Sequence, residues 1–346
     1  MMKNLLIKAL LTVLLCTFTQ LSFAKDWSLY DSYVKLHYQN GKVLSEGGAV
    51  ESKAQVLFMF LTLSQNDKAS FDKLYAFTKA KLQKEQALVI SKVENDTVTD
   101  NSINTLTNLF LAYDLICASE LFNDSKYLTE AKAILASVKA QCTSTNALFG
   151  KVLTPYANRA NSELLTLNSS TYAPFVLQKI TTVDEDFREL YFDSIKAVIK
   201  ASGLGFVPDQ LKFNQSGDFI IDKNTKAYLE AMNFYLWLSI SSKSDPNRRL
   251  LLPTFENLIN QTQKGLKTPL KVDFYTQEIF KQNALISISS LLNICDYKVK
   301  DYLRSQIKAH KFSKAENYEH LAALFATGID ELRFAFTSDG SLLIGN

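Results

Sequence analysis

Along most of this chain apolar residues return every three or four positions, the spacing of a helix with a buried side. The pattern predicts helices over 52–63, 68–84, 101–122, 125–141, 172–180, 184–201, 223–241, 247–264, 275–295, 297–309 and 315–327. Polar caps support their starts, as in Asn66-Asp67 before 68 and Ser244-Asp245-Pro246 before 247. Two stretches alternate instead. LKFNQSGDFIID (211–222) turns around Ser216-Gly217 and RFAFTSDGSLLIG (333–345) around Asp339-Gly340, and each reads as a β-hairpin. No linker rich in Gly, Ser or Pro divides the pattern, so residues 25–346 read as one domain. Short joints favour antiparallel helix pairs. No fixed-period repeat points to a solenoid.

Residues 1–24 stand apart. Lys3 and Lys8 give a basic start, LLIKALLTVLL an apolar run, and Ser22-Phe23-Ala24 a small-x-small cleavage site. Together they predict a signal peptide cleaved after Ala24 and a periplasmic or secreted protein. Cys16 does not suit a lipoprotein site, because the bulky Leu15 precedes it. No later run is apolar for long enough to span a membrane. Removing Lys3 and Lys8 from the 38 Lys and Arg leaves 36 against 35 Asp and Glu, a formal charge of +1. So balanced a chain argues against nucleic acid as a partner. Cys117, Cys142 and Cys295 remain, an odd number that leaves at least one unpaired. No Cys-x-x-Cys or His-x-x-x-His occurs, and His37, His310 and His320 are scattered, so neither a zinc site nor a cofactor is expected.

Several segments carry a likeness in a fixed order. Ser52-Lys53-Ala54-Gln55 precedes an apolar stretch that ends in Asn66-Asp67-Lys68 and Phe71-Asp72. NSINTLTNLFLAYDL follows Asp100, then come LTLNSSTYAP (165–174), LGFVPDQLKF (204–213), AYLEAMNFYLWLSISSKSDP (227–246) and LFATGIDELRFAFTSDGSLL (324–343). In this order they resemble glycoside hydrolase family 8, and within it the endoglucanases encoded with bacterial cellulose synthases. The resemblance implies an all-α fold, an (α/α)6 barrel with short β-hairpin insertions, monomeric, with a cleft for a β-1,4-glucan. It also implies a place beside a cellulose-type synthesis or export complex.

Inverting hydrolysis needs one carboxylic acid and one carboxylate, roughly 6.5–9.5 Å apart, with a water between. The family's acid is the Glu of Ser-Glu-Gly-Gln, and Lys53 stands in its place. A lysine stays cationic at neutral pH unless burial depresses it strongly, and a cation opposes an oxocarbenium-like transition state. An ion pair between Lys53 and a retained carboxylate is the expected use of that charge. Glu51 and Glu46 stay open as substitute acids, the first if it precedes the helix, the second only after a shift of register. The family's base position holds Glu230, one methylene longer than the family's Asp, and Asn233 replaces a neighbouring Arg. The sugar-binding Asp pair becomes Leu106 and Asn108. Aromatic platforms become Ala87-Leu88-Val89-Ile90, Gln210 and Ile329. The resemblance sets Gln55, Asn108, Tyr172, Asp209 and Tyr318 along the sugar path. Tyr235 and Trp237 read as core by their helical spacing, and His320 as cleft wall or surface.

Three readings follow. The chain is an active endoglucanase with a shifted acid, or a catalytically impaired relative that binds glycan or a partner. The third is a hydrolase redirected to another polysaccharide, pairing Glu230 with Glu46 or Glu51. Loss of the acid, of the Asp pair and of the platforms together favours the second.

Overall fold

Ser52–Ser64, Thr105–Phe122 and Leu229–Ile240 are helices that bury residues on every face. A helix that is apolar all round is stable only inside protein. These three are joined by Pro174–Ile180, Leu285–Leu291 and Asn317–Asp330, and the six enclose one another. Ser52–Ser64 packs on Thr105–Phe122, then Pro174–Ile180, Leu229–Ile240, Leu285–Leu291 and Asn317–Asp330 follow in turn. The last packs back on Ser52–Ser64. The computed structural model describes residues 26–158 and 164–345, and the expected signal peptide lies outside them.

Outside this ring lie helices with one buried side. Ser125–Gln141 covers Thr105–Phe122, Tyr297–Ala309 covers Leu285–Leu291, and Ser28–His37 covers Asn317–Asp330. The ring interior is filled by aromatic side chains. Phe60 stacks on Phe325 at 4.9 Å, and Trp237 lies 4.9 Å from Phe110 and 5.4 Å from Phe325. Trp237 and Tyr235 are core residues, as their spacing predicts. The Phe334–Phe336 and Leu342–Ile344 hairpin forms as expected, and its turn needs Gly340. That glycine has φ +79°, and a Cβ there would meet the Phe175 carbonyl oxygen at 2.0 Å.

Five of the six ring helices are entered from short strands. Val50–Glu51 leads into Ser52, Thr97–Asp100 towards Thr105, Leu165–Asn168 towards Pro174, Lys226–Ala227 towards Leu229, and Ile279–Gln282 towards Leu285. These entry strands bring their sheets to the N-terminal ends of the ring helices they lead into.

Several predicted elements differ. The 275–295 helix is shortened to Leu285–Leu291, because Ile279–Gln282 pairs with Pro269–Asp273. Asp273 starts the intervening turn by accepting from the Tyr275 and Thr276 amides. The 247–264 helix breaks near Pro253 into Pro246–Leu251, a 3-10 turn and Glu256–Gly265. In 211–222 a turn does form around Gly217, but Gln210–Phe213 takes Leu165–Asn168 as its main partner. The Ser28–His37 helix was not predicted. All three cysteines beyond residue 24 are free and buried.

Candidate active site

The second residue of the Ser52–Ser64 helix is Lys53, and that of the Leu229–Ile240 helix is Glu230. Asn317–Asp330 carries Tyr318 at the same position. Three ring helices therefore present side chains from their first turns. The Lys53 ammonium sits over the Tyr318 ring, 4.1 Å from its centroid. The Tyr318 hydroxyl donates to Asn233 Oδ1 at 2.7 Å, one turn along from Glu230. Burial alone would pull the Lys53 ammonium down, but Tyr318 and the Glu230 carboxylate oppose it and hold it above its usual value. At neutral pH the phenol is uncharged, so the standing negative charge in this group is that of Glu230. Burial pushes Tyr318 up further, against the opposing pull of Lys53.

Glu230 also lines a cavity of about 380 Å³, together with Tyr156, Asn168, Asp209, Gln210 and Lys226. Asp209 Oδ1 accepts from the Tyr228 amide at 2.7 Å and the Ala231 amide at 3.0 Å, which fixes the start of the Glu230 helix. Burial raises Asp209 to about 6; the two amides oppose the rise and Glu230 adds to it. The site thus holds an ammonium, a phenol paired with an amide, and two carboxyl groups on one cavity. No group of three or more His, Cys, Asp or Glu with metal-binding geometry occurs among the described residues.

The glycosyl hydrolases family 8 profile matches residues 2–329. This chain belongs to glycosyl hydrolase family 8. An endoglucanase of Escherichia coli O157:H7 is 24% identical over 356 residues, covering 98% of this chain and 97% of that protein. An endoglucanase of Pseudomonas fluorescens (strain SBW25) is 24% identical, covering 92% of this chain and 90% of its own length. Among solved structures, an endo-1,4-D-glucanase from Vibrio fischeri ES114 superposes with a TM-score of 0.83 at 21% identity. It covers 92% of this chain and 99% of that one. Endo-β-1,4-glucanase CMCax from Acetobacter xylinum gives 0.73 at 21% identity, covering 88% and 98%. The helix-rich architecture is that of these family 8 neighbours.

With the family in hand, the expected site residues divide. Lys53, Glu230, Asp209 and Tyr318 come together at the ring's N-terminal end. Lys53 makes no direct ion pair with a carboxylate among the described residues, contrary to expectation, and uses the Tyr318 face instead. Gln55 is fully buried and spends its amide on the backbone. Its oxygen accepts from the Val43 amide at 2.8 Å, and its nitrogen donates to the Gly41 and Leu74 carbonyls at 2.8 and 3.1 Å. Asn108 likewise clamps Val89, accepting from its amide at 2.8 Å, and donates to the Asn104 carbonyl at 2.9 Å. Tyr172 has no exposed surface, and its hydroxyl donates to the Leu153 carbonyl at 3.0 Å. These three hold the fold and do not face the cleft.

Glu51 does precede the helix, as the last residue of the Val50–Glu51 strand opposite Lys92. It is exposed, and no hydrogen bond or ion pair ties it to Lys53, Tyr318 or Glu230 among the described residues. Glu46 stands in the exposed turn closed by the Gly48 amide on the Ser45 carbonyl. His320 is neither cleft wall nor surface. It is fully buried, stacked on Phe312 at 4.0 Å, with Nε2 on the Leu29 carbonyl. Two residues escaped the sequence reading: Asn233 as the partner of Tyr318, and Tyr156 on the cavity wall. A helix-interior Asn and a loop Tyr give no periodic signal.

Proposed function

We propose that this family 8 chain is an exported β-glucan-binding protein whose hydrolytic activity is lost or strongly reduced. One observation carries the reading: Lys53, which stands at the family's acid in the sequence register, lies against Tyr318 and within the field of Glu230. An ammonium held above its ordinary pKa gives no proton to a leaving sugar near neutral pH. It also sets a fixed positive charge where the transition state gains one. The closed sequence of ring contacts, with helices packed outside it, supports reading the fold as an (α/α)6 barrel. The endoglucanase names of the relatives support a β-1,4-glucan as the ligand. Residues 1–24 support export to the periplasm or beyond.

The test is an assay of the purified mature protein on carboxymethyl-cellulose and cello-oligosaccharides, with binding followed in parallel. The expected result is binding without appreciable turnover, and turnover on Lys53→Glu substitution. Robust turnover by the unmodified protein would overturn the proposal.

A further inference from the structure

A second cavity lies away from Lys53 and Glu230. It has a volume of about 780 Å³ and opens between Pro246–Leu251, Glu256–Gly265 and the turn into Tyr297–Ala309. Leu238, near the C-terminal end of the Leu229–Ile240 helix, marks its inner side through a bond to Arg248. Glu230 is eight residues back along that helix, about 12 Å at 1.5 Å per residue.

Arg248 is the unusual member of the lining. It is only 7% exposed, and its Nε donates to the Leu238 carbonyl at 3.2 Å. Its two terminal nitrogens have no protein acceptor among the described residues, yet they are not sealed from the cavity. Asp245 faces the guanidinium, but its Oδ1 accepts from the Asn247 amide at 2.8 Å. Lys243 and Arg249 add positive charge at the mouth, and Glu256 is the acid on the lining. Lys300 is already neutralised by Asp330 at 2.7 Å. Leu252, Ile259 and Ile294 supply an apolar wall.

A planar guanidinium held in place with free donors matches two oxygens of a carboxylate or phosphate. A bound anion would give the two terminal nitrogens the acceptors that the protein does not supply. The cavity volume is that of small-molecule sites. We infer that this pocket binds a small anionic amphiphile, its carboxylate or phosphate on the Arg248 fork and its apolar body against Leu252, Ile259 and Ile294.

The test titrates the intact protein with octyl phosphate, octanoate, inorganic phosphate and the neutral octyl glucoside. Melting temperature and the methyl resonances of Ile259 and Ile294 are followed. Octyl phosphate and octanoate should raise the melting temperature and shift both methyls. Octyl glucoside and inorganic phosphate should each bind about tenfold more weakly or worse. Arg248→Gln should weaken octyl phosphate binding by about tenfold. If that variant does not fold, the methyl shifts and ligand ranking in the unmodified protein decide. Unmoved methyls would overturn the inference. So would equal affinity for octyl glucoside and octyl phosphate, equal affinity for inorganic and octyl phosphate, or a folded Arg248→Gln that binds as before.

Discussion

The Lys53 ammonium faces the Tyr318 ring at 4.1 Å, and the Tyr318 hydroxyl holds Asn233. The cation is therefore part of the packing between two ring helices, not a loose surface charge. Such a contact is worth roughly 1–2 kcal/mol when partly desolvated. Lys53→Met keeps the length of the side chain and removes the charge. It should lower the unfolding free energy by about 1 kcal/mol in urea titrations. No change would show that the ammonium leaves the ring in solution.

Restoring the acid alone leaves Glu230 one methylene too long for the family's base position. A misplacement of about 1 Å can cost about a hundredfold in rate. Lys53→Glu should therefore hydrolyse carboxymethyl-cellulose slowly, and Lys53→Glu with Glu230→Asp about a hundredfold faster. Initial rates of reducing-end release compare the two. Equal rates would remove the argument from arm length.

Gln55 bonds to Val43, Gly41 and Leu74, tying the 38–43 hairpin and the next helix to the ring. Gln55→Leu keeps the volume and strands three buried backbone groups. The expected loss is about 3 kcal/mol in urea unfolding, with glucan affinity of the folded protein unchanged. A selective loss of affinity at full stability would return Gln55 to the sugar path.

The contrast between Gln55 and Lys53 shows what the sequence made legible. Helix content was readable because the outer helices have one apolar side and the ring helices are apolar throughout. Boundaries failed where a strand feeds a helix, as at 275–284, because a few alternating residues fit either period. Lys53 was expected in the first turn of its helix and lies there, whereas Glu230, inside the predicted 223–241 helix, opens the shorter Leu229–Ile240. Gln55, Asn108 and Tyr172 could not be judged that way. Whether a polar side chain meets sugar or a backbone amide depends on residues distant in sequence, such as Leu74 or Leu153.

Asp209 and His320 pull stability in opposite directions on acidification. Burial lowers His320 from 6.5 to about 4, with the Leu29 carbonyl opposing and His37 assisting. Below pH 6.5 the unfolded chain takes up a proton that the folded one refuses, so stability falls with pH down to about 4. Asp209 is raised from 3.8 to about 6, so the folded state keeps a proton that the unfolded chain releases. Its effect is a loss of stability as pH rises from 3.8 to about 6. Asp209→Asn keeps the acceptor for the Tyr228 and Ala231 amides and should steepen the acid loss. His320→Phe should flatten it. Unfolding free energies between about pH 4 and 7 check both, and parallel curves for all three proteins would refute the assignment.

Asp114 lies within the Thr105–Phe122 helix with no exposed surface, and neither of its oxygens has a hydrogen-bond partner among the described residues. Burial pushes its carboxyl well above the usual range, so the folded protein holds it neutral. The unfolded chain releases that proton above its ordinary value of 3.8, and stability is lost as pH rises beyond it. Two penalties therefore meet at pH 7: a buried polar group without partners, and a proton retained against bulk solvent. Asp114→Ala removes both, suits the helix, and leaves only a small void. The substitution should raise the unfolding free energy at neutral pH by about 1–3 kcal/mol. Near pH 4 the gain should shrink, because the unfolded chain then keeps a large share of that proton, without vanishing, because the desolvation cost remains. Urea unfolding at the two pH values separates the contributions. A substitution that destabilises at both would mean that the carboxyl finds a partner in solution.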